Sequence, residues 1–190
     1  AEKLKEAEAL DEAMKQLEDQ VNQDDQISNS SPFINEDSDK QKTYNDKIQA
    51  AKEIINQTSN PTLDKQKIAD TLQNIKDAVN NLHGDQKLQK AQQDATNELN
   101  YLTNLNNSQR QSEHDEINSA PSRTEVSNDL NHAKALNEAM RQLENEVALE
   151  NSVKKLSDFI NEDEAAQNEY SNALQKAKDI INGVPSSTLD

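Results

Sequence analysis

Apolar residues along this chain recur at the spacing of a buried helical face. Leu10, Met14, Leu17 and Val21 step by four, three and four; Tyr44, Ile48, Ala51 and Ile55 do the same; Leu72, Ile75, Val79 and Leu82 step by three, four and three. Each stripe marks one side of an α-helix turned towards a core. The pattern predicts three helices over about 2–27, 36–57 and 62–82, which together close one bundle.

The joints between them have their own chemistry. Ser28-Asn29-Ser30-Ser31-Pro32 ends the first helix, because Pro32 has no amide donor and disfavours helix at the preceding residue. Thr58-Ser59-Asn60-Pro61 ends the second, and Thr62 is the expected N-cap of the third, with Lys65 where a capping-box Glu would stand. His83-Gly84-Asp85 closes the bundle, with Gly84 at a helix C′ position and Asp85 capping the next helix.

Beyond that point Leu88, Ala91, Ala95, Leu99 and Leu102 predict a helix from about Gln86 to Asn104. Tyr101 falls on this core-facing stretch. Asn106-Asn107-Ser108 is the next turn, a short polar helix comes after it with Ile117 as its clearest anchor, and Ala120-Pro121-Ser122 ends it. From Ser122 to about Leu156 there is neither Gly nor Pro, and Val126, Leu130, Ala133, Leu136, Met140, Leu143, Val147, Val153 and Leu156 line the stretch. That predicts one helix on the order of 50 Å long. Its first half completes a second bundle and its second half opens a third, so it joins neighbours stiffly, as a Gly/Ser linker does not.

The chain also repeats itself. Residues 7–64 return without a gap at 133–190, an offset of 126 from Ala7 to Ala133, with about half of the aligned positions identical. Leu136, Met140, Leu143, Val147, Phe159, Tyr170, Ile180 and Leu189 all fall on that offset. A fixed long period with matched apolar positions is the mark of a modular array. The chain opens and closes inside a unit, which is expected of a piece cut from a longer array.

Composition sharpens the picture. Hydrophobic residues make up 32% of the chain and aromatics 3%, too little for one large core and enough for several narrow ones. With Gly 2 and Pro 4, turn and strand punctuation is scarce, and the fold class is all-α: an elongated string of three-helix bundles joined by a long shared helix. The modules are expected at 1–82, 83–132 and 133–190, the last truncated before its third helix. Pro or Gly signals interrupt the seams every 20–30 residues, so bundles within one chain, a monomer, are favoured over a two-chain coil.

A net charge of −16 opposes binding to nucleic acid or to an anionic membrane. No apolar run approaches the length of a membrane span, and no signal-peptide pattern opens the chain. The absence of Cys fits both a cytosolic protein and the surface of a bacterium that seldom uses disulfides.

Two phrases, FINED at 33–37 and again at 159–163, and LTNLNN at 102–107 between them, make the order recognisable. The alternation resembles the FIVAR and GA-like modules of giant staphylococcal cell-wall-associated adhesins that bind extracellular matrix. The resemblance covers the whole chain. It implies a FIVAR module, a GA-like module and a second FIVAR module, a location on the bacterial cell wall, and association with host matrix proteins such as fibronectin. GA modules of this class bind serum albumin through a partly apolar surface around their second helix. The matching segment here, Ser108-Gln109-Arg110-Gln111-Ser112-Glu113-His114-Asp115-Glu116, has neither aromatic nor aliphatic side chains, so albumin binding does not carry over.

Candidate chemistry is sparse. Asn35-Glu36-Asp37-Ser38-Asp39 has the oxygens of a calcium loop, but its second copy, Asn161-Glu162-Asp163-Glu164-Ala165, loses the last acid and neither holds the required Gly. These acids are expected at a helix N-terminus, opposite the dipole. Phe33 with Tyr44, and Phe159 with Tyr170, coincide under the repeat and are expected in the core. His83, His114 and His132 lack a partner at helical spacing and are expected on the surface. With no glycine-rich phosphate loop, no Cys and no serine elbow, no catalytic residue, cofactor site or metal site is predicted, and the chain is not expected to be an enzyme.

The reading is a repeat fragment of a bacterial surface adhesin, a rod-like stalk whose many weak copies bind matrix by avidity. The alternatives are a structural spacer without a ligand and an intracellular spectrin-like scaffold. The second typically carries buried Trp, absent here.

Overall fold

The computed structural model describes residues 2–57, 61–184 and 188. The turn run Thr58-Ser59-Asn60 and the repeat position Leu189 lie outside the described residues. Among the described residues all regular structure is α-helical: α1 (Glu2–Val21), α2 (Asp24–Ser28), α3 (Ser31–Ile34), α4 (Ser38–Ile55), α5 (Lys65–Asn80), α6 (Gly84–Leu99), α7 (Asn107–Ser119), α8 (Arg123–Ala148), α9 (Glu150–Val153), α10 (Ser157–Ile160) and α11 (Glu164–Asn182). None of these is long and apolar enough to cross a membrane. The chain divides into two compact units, Ala1–Gln89 and Lys90–Asp190, with the boundary inside α6.

In the first unit α1, α4 and α5 pack against one another as a three-helix bundle. Its seam is narrow: Ala13 and Leu17 from α1, Tyr44, Ile48, Ala51 and Ile54 from α4, and Ile68, Leu72, Ile75 and Ala78 from α5. Phe33, Met14 and Val21 close over it part-buried. Each fully buried Leu or Ile contributes roughly 1.5–3 kcal/mol relative to exposure, so a few such residues per helix carry the bundle.

The first helix ends at Val21, not near residue 27 as the apolar rhythm predicts, and the chain passes through a turn at Asn22–Gln23 into the single turn α2. The cap of the third long helix is Asp64 rather than the expected Thr62: its carboxylate accepts the amides of Gln66 at 3.0 Å and Lys67 at 3.2 Å. An ionised carboxylate is the stronger partner for the positive end of a helix. Gly84, expected as a left-handed C′ residue, is not one. It opens α6, and the positive-φ residue among those described is Gly183, which ends α11. Glycine is required at 84 by proximity, since a Cβ there would stand 2.3 Å from the Pro32 carbonyl oxygen.

In the second unit α8 packs against both α7 and α11. One face carries Val126, Leu130, Ala133, Leu136 and Met140, all buried. Buried residues on the other helices of the unit include Ala95 and Leu99 of α6, Ile117 of α7 and Leu174 of α11. The shared-helix expectation therefore holds over a shorter span: α8 has 26 residues and stops at Ala148 rather than near Leu156. The same break stands 126 residues earlier, where α1 stops at Val21, the equivalent of Val147. In both copies an acid just past the break pairs with a lysine from the next long helix.

Tyr101 is likewise misplaced by the helical reading. α6 ends at Leu99, so Tyr101 lies in the turn beyond it and is 83% exposed. The turn is fastened by Arg110, whose guanidinium donates to the carbonyls of Leu99 at 2.7 Å and Leu102 at 2.6 Å.

Candidate functional site

Side chains of three kinds are drawn together by the fold, and the first is a clamp made twice. In the first copy the edge of one aromatic ring meets the face of the other, Phe33 and Tyr44, with centroids 5.5 Å apart at 69°; in the second Phe159 and Tyr170 do so at 5.4 Å and 67°. Gln41 donates to the Phe33 carbonyl at 2.8 Å and Gln167 to the Phe159 carbonyl at 2.9 Å. Lys52 reaches Asp24 at 2.9 Å, and its equivalent Lys178 reaches Glu150 at 2.6 Å. The Tyr44 hydroxyl also donates to Asp24 at 3.2 Å. Burial raises the Asp24 carboxyl, but hydrogen bonds from Lys52, Ser28 and Tyr44 and the Lys52 charge outweigh it and hold the group below its ordinary value. Burial first, then the Asp24 charge, pushes the Tyr44 phenol upward. Tyr44 is buried in the core as expected, while Phe33, Phe159 and Tyr170 are part-buried.

The second cluster gathers on Glu36. It stands just before Asp37, the N-cap of α4, as expected of a helix N-terminal acid; it is 5% exposed and accepts the amides of His83 at 2.5 Å and Asp37 at 2.8 Å, together with the Lys87 ammonium. Lys87 also reaches Asp37. Burial raises the Glu36 carboxyl, yet the bonds from Lys87, His83 and Asp37 bring it down to about 2. Glu36 is thus an anchor for the chain leaving α5. Its repeat equivalent Glu162 is exposed. Of the first histidine, His83, it is the backbone that matters.

The third cluster lies between α7 and α8. The polar helix α7 turns Gln109, Glu113 and Ile117 inward at intervals of four. Gln109 is satisfied: it forms a capping box with Asn106, and its amide nitrogen donates to the Thr188 carbonyl at 2.6 Å. Glu113 is 1% exposed, and its Oε1 lies 3.0 Å from Nδ1 of His132 on α8. Its other oxygen, Oε2, is buried with no hydrogen-bond partner, a condition shared among the described residues by Thr96 Oγ1. Burial raises the Glu113 carboxyl; His132 opposes this, and the charges of Glu116 and Asp129 add to it. Glu116 completes a group with Glu113 and His132 whose ligand atoms lie within 4.8 Å of one another.

His132 is on the surface as expected, 49% exposed, and its partner Glu113 does not stand at helical spacing from it. A search along its own helix could not find Glu113, which reaches it from the preceding one. The available signal was the four-residue step from Glu113 to Ile117, which puts a carboxylate on the buried stripe. His114 stays on the surface, 3.4 Å from Asp115.

Comparison with known proteins places these clusters in a family. The FIVAR domain model matches residues 13–83 and 139–190. The chain belongs to the FIVAR domain family. Between its two FIVAR segments the GA module model matches residues 85–139, so the Glu113–His132 pair lies in the GA segment and the two aromatic clamps lie in the FIVAR segments. The FIVAR chain is 45% identical over all of its 190 residues to the extracellular matrix-binding protein ebh of Staphylococcus aureus strain MRSA252, and 44% identical to the extracellular matrix-binding protein EbhA of strain Newman. It spans 2% and 6% of the lengths of those relatives. Among solved structures it matches a crystal structure of a domain of EbhA from Staphylococcus aureus with a TM-score of 0.82 at 25% identity, covering 92% of this chain and 69% of that one. A structure from a study of Embp-mediated adherence of Staphylococcus epidermidis to fibronectin matches with a TM-score of 0.53 at 38% identity, over 56% of this chain and 84% of the other.

Proposed function

We propose that this chain is a non-catalytic repeat segment of a bacterial cell-surface adhesin, and that it contacts host extracellular matrix, fibronectin in particular, weakly and through many copies. The modules we assign are 1–82, 83–132 and 133–190. The observation that carries the reading is the full-length likeness to proteins named for matrix binding, with FIVAR, GA and FIVAR segments in succession. The study of Embp links a structurally similar chain to adherence to fibronectin.

Several physical features fit that role. A charge of −16 disfavours nucleic acid and anionic lipid as partners. The GA segment turns polar side chains outward along α7, which gives albumin no apolar patch to dock on. Tyr101 is the exposed aromatic side chain among the described residues, and it is the first contact to remove when a partner surface is sought.

A second reading, a structural spacer, is favoured by the way Phe33, Tyr44, Phe159 and Tyr170 are consumed within their modules. Beads coated with the chain at graded density and held against immobilised fibronectin under flow separate the two. Retention that climbs steeply with density supports multivalent adhesion. Retention equal to that of albumin-coated beads at every density supports the spacer.

A further inference from the structure

We infer that Glu113, Glu116 and His132 form a binding site for a divalent transition-metal cation of the Zn2+ class, tying α7 to α8 in the GA segment. Glu113 and Glu116 are three residues apart on α7, which puts both carboxylates on neighbouring positions of one helix side. His132 meets them from α8. One imidazole nitrogen and two carboxylates suit zinc, while Ca2+ and Mg2+ prefer sites made wholly of oxygen.

The site is built rather than merely acidic. Glu113 is almost fully buried and keeps one oxygen, Oε2, without a hydrogen-bond partner. An unsatisfied buried carboxylate oxygen costs free energy, and a cation gripped by both oxygens of Glu113 would remove that cost. The ligand atoms lie within 4.8 Å of one another, whereas ligands about 2.1 Å from a tetrahedral zinc are separated by roughly 3.4 Å. Glu116 is exposed and can swing to close that difference, and water fills the remaining position.

Isothermal titration of the full chain with ZnCl2 tests this, with His132→Ala and Glu116→Gln as variants. Both substituted side chains are at least partly exposed, so helicity by circular dichroism should be unchanged. The expected result is saturable binding of one Zn2+ per chain, at least about tenfold weaker in each variant, and undisturbed by Ca2+ at the same concentration. Absence of a saturable site, or variants that bind as the parent does, would overturn the proposal and leave Glu113 and His132 as a structural pair. Displacement by Ca2+ would overturn the metal class.

Discussion

The carboxylate of Glu36 accepts the backbone amide of His83 at 2.5 Å across a separation of 47 residues. Through that bond and the Lys87 ammonium, the start of α4 holds the chain between α5 and α6. Because its pKa is depressed from 4.5 to about 2, Glu36 contributes stability that is fully present above its unfolded value and lost as pH falls towards 2. Glu36→Gln should therefore cost the first unit about 2–3 kcal/mol at pH 7, and the gap to the parent should close between pH 4.5 and 2. Urea unfolding read by hydrogen exchange over α5 checks this; a gap that persists undiminished at pH 2 would contradict it.

Gly84 touches the same junction. Alanine normally favours a helix over glycine, yet here its methyl would press on the Pro32 carbonyl, which is backbone and cannot swing aside. Gly84→Ala should lower the stability of the first unit by roughly 1–3 kcal/mol. An unchanged or raised urea midpoint would show that the backbone gives way at no cost.

The repeated clamp makes a symmetrical prediction. Double-mutant cycles on Asp24 with Lys52, and on Glu150 with Lys178, should both give favourable coupling that shrinks in high salt. In the first copy, where Asp24 is partly buried and Lys52 partly exposed, the coupling should be about 0.5–1 kcal/mol. Coupling in one copy and none in the other would mean that the repeated geometry is not a repeated interaction.

Apolar spacing reports which side of a helix is buried, and in that respect the chain is legible. The stripes through Leu17, Ile48, Ile75 and Leu136 all face cores as expected, and the 126-residue offset recurs in side-chain geometry down to the Gln41 and Gln167 bonds. The break at Leu149 is illegible in sequence because Val153 and Leu156 continue an apolar rhythm with no Gly or Pro to stop it. Just past each break an acid pairs with a lysine 28 residues on, a contact that no one-helix pattern records. Glu36, Gln109 and Glu113 escape for the same reason: polar side chains are buried by partners on other helices, which a one-helix pattern does not record.

The shared helix is open to a direct test. Ala139 lies within α8 and is exposed, so Ala139→Pro acts through the backbone alone. It should destabilise the second unit by about 3 kcal/mol and leave hydrogen exchange in the first unit untouched. Unaltered protection of α8 would contradict a continuous helix through that point.

We propose that these modules themselves engage matrix protein. Surface plasmon resonance of the chain over immobilised fibronectin, with serum albumin in a parallel channel at physiological salt, tests it most directly. Weak, saturable binding to fibronectin, reduced in Tyr101→Ala, and no response to albumin are expected. Silence on fibronectin at high micromolar concentration, or equal binding to both surfaces, would contradict it.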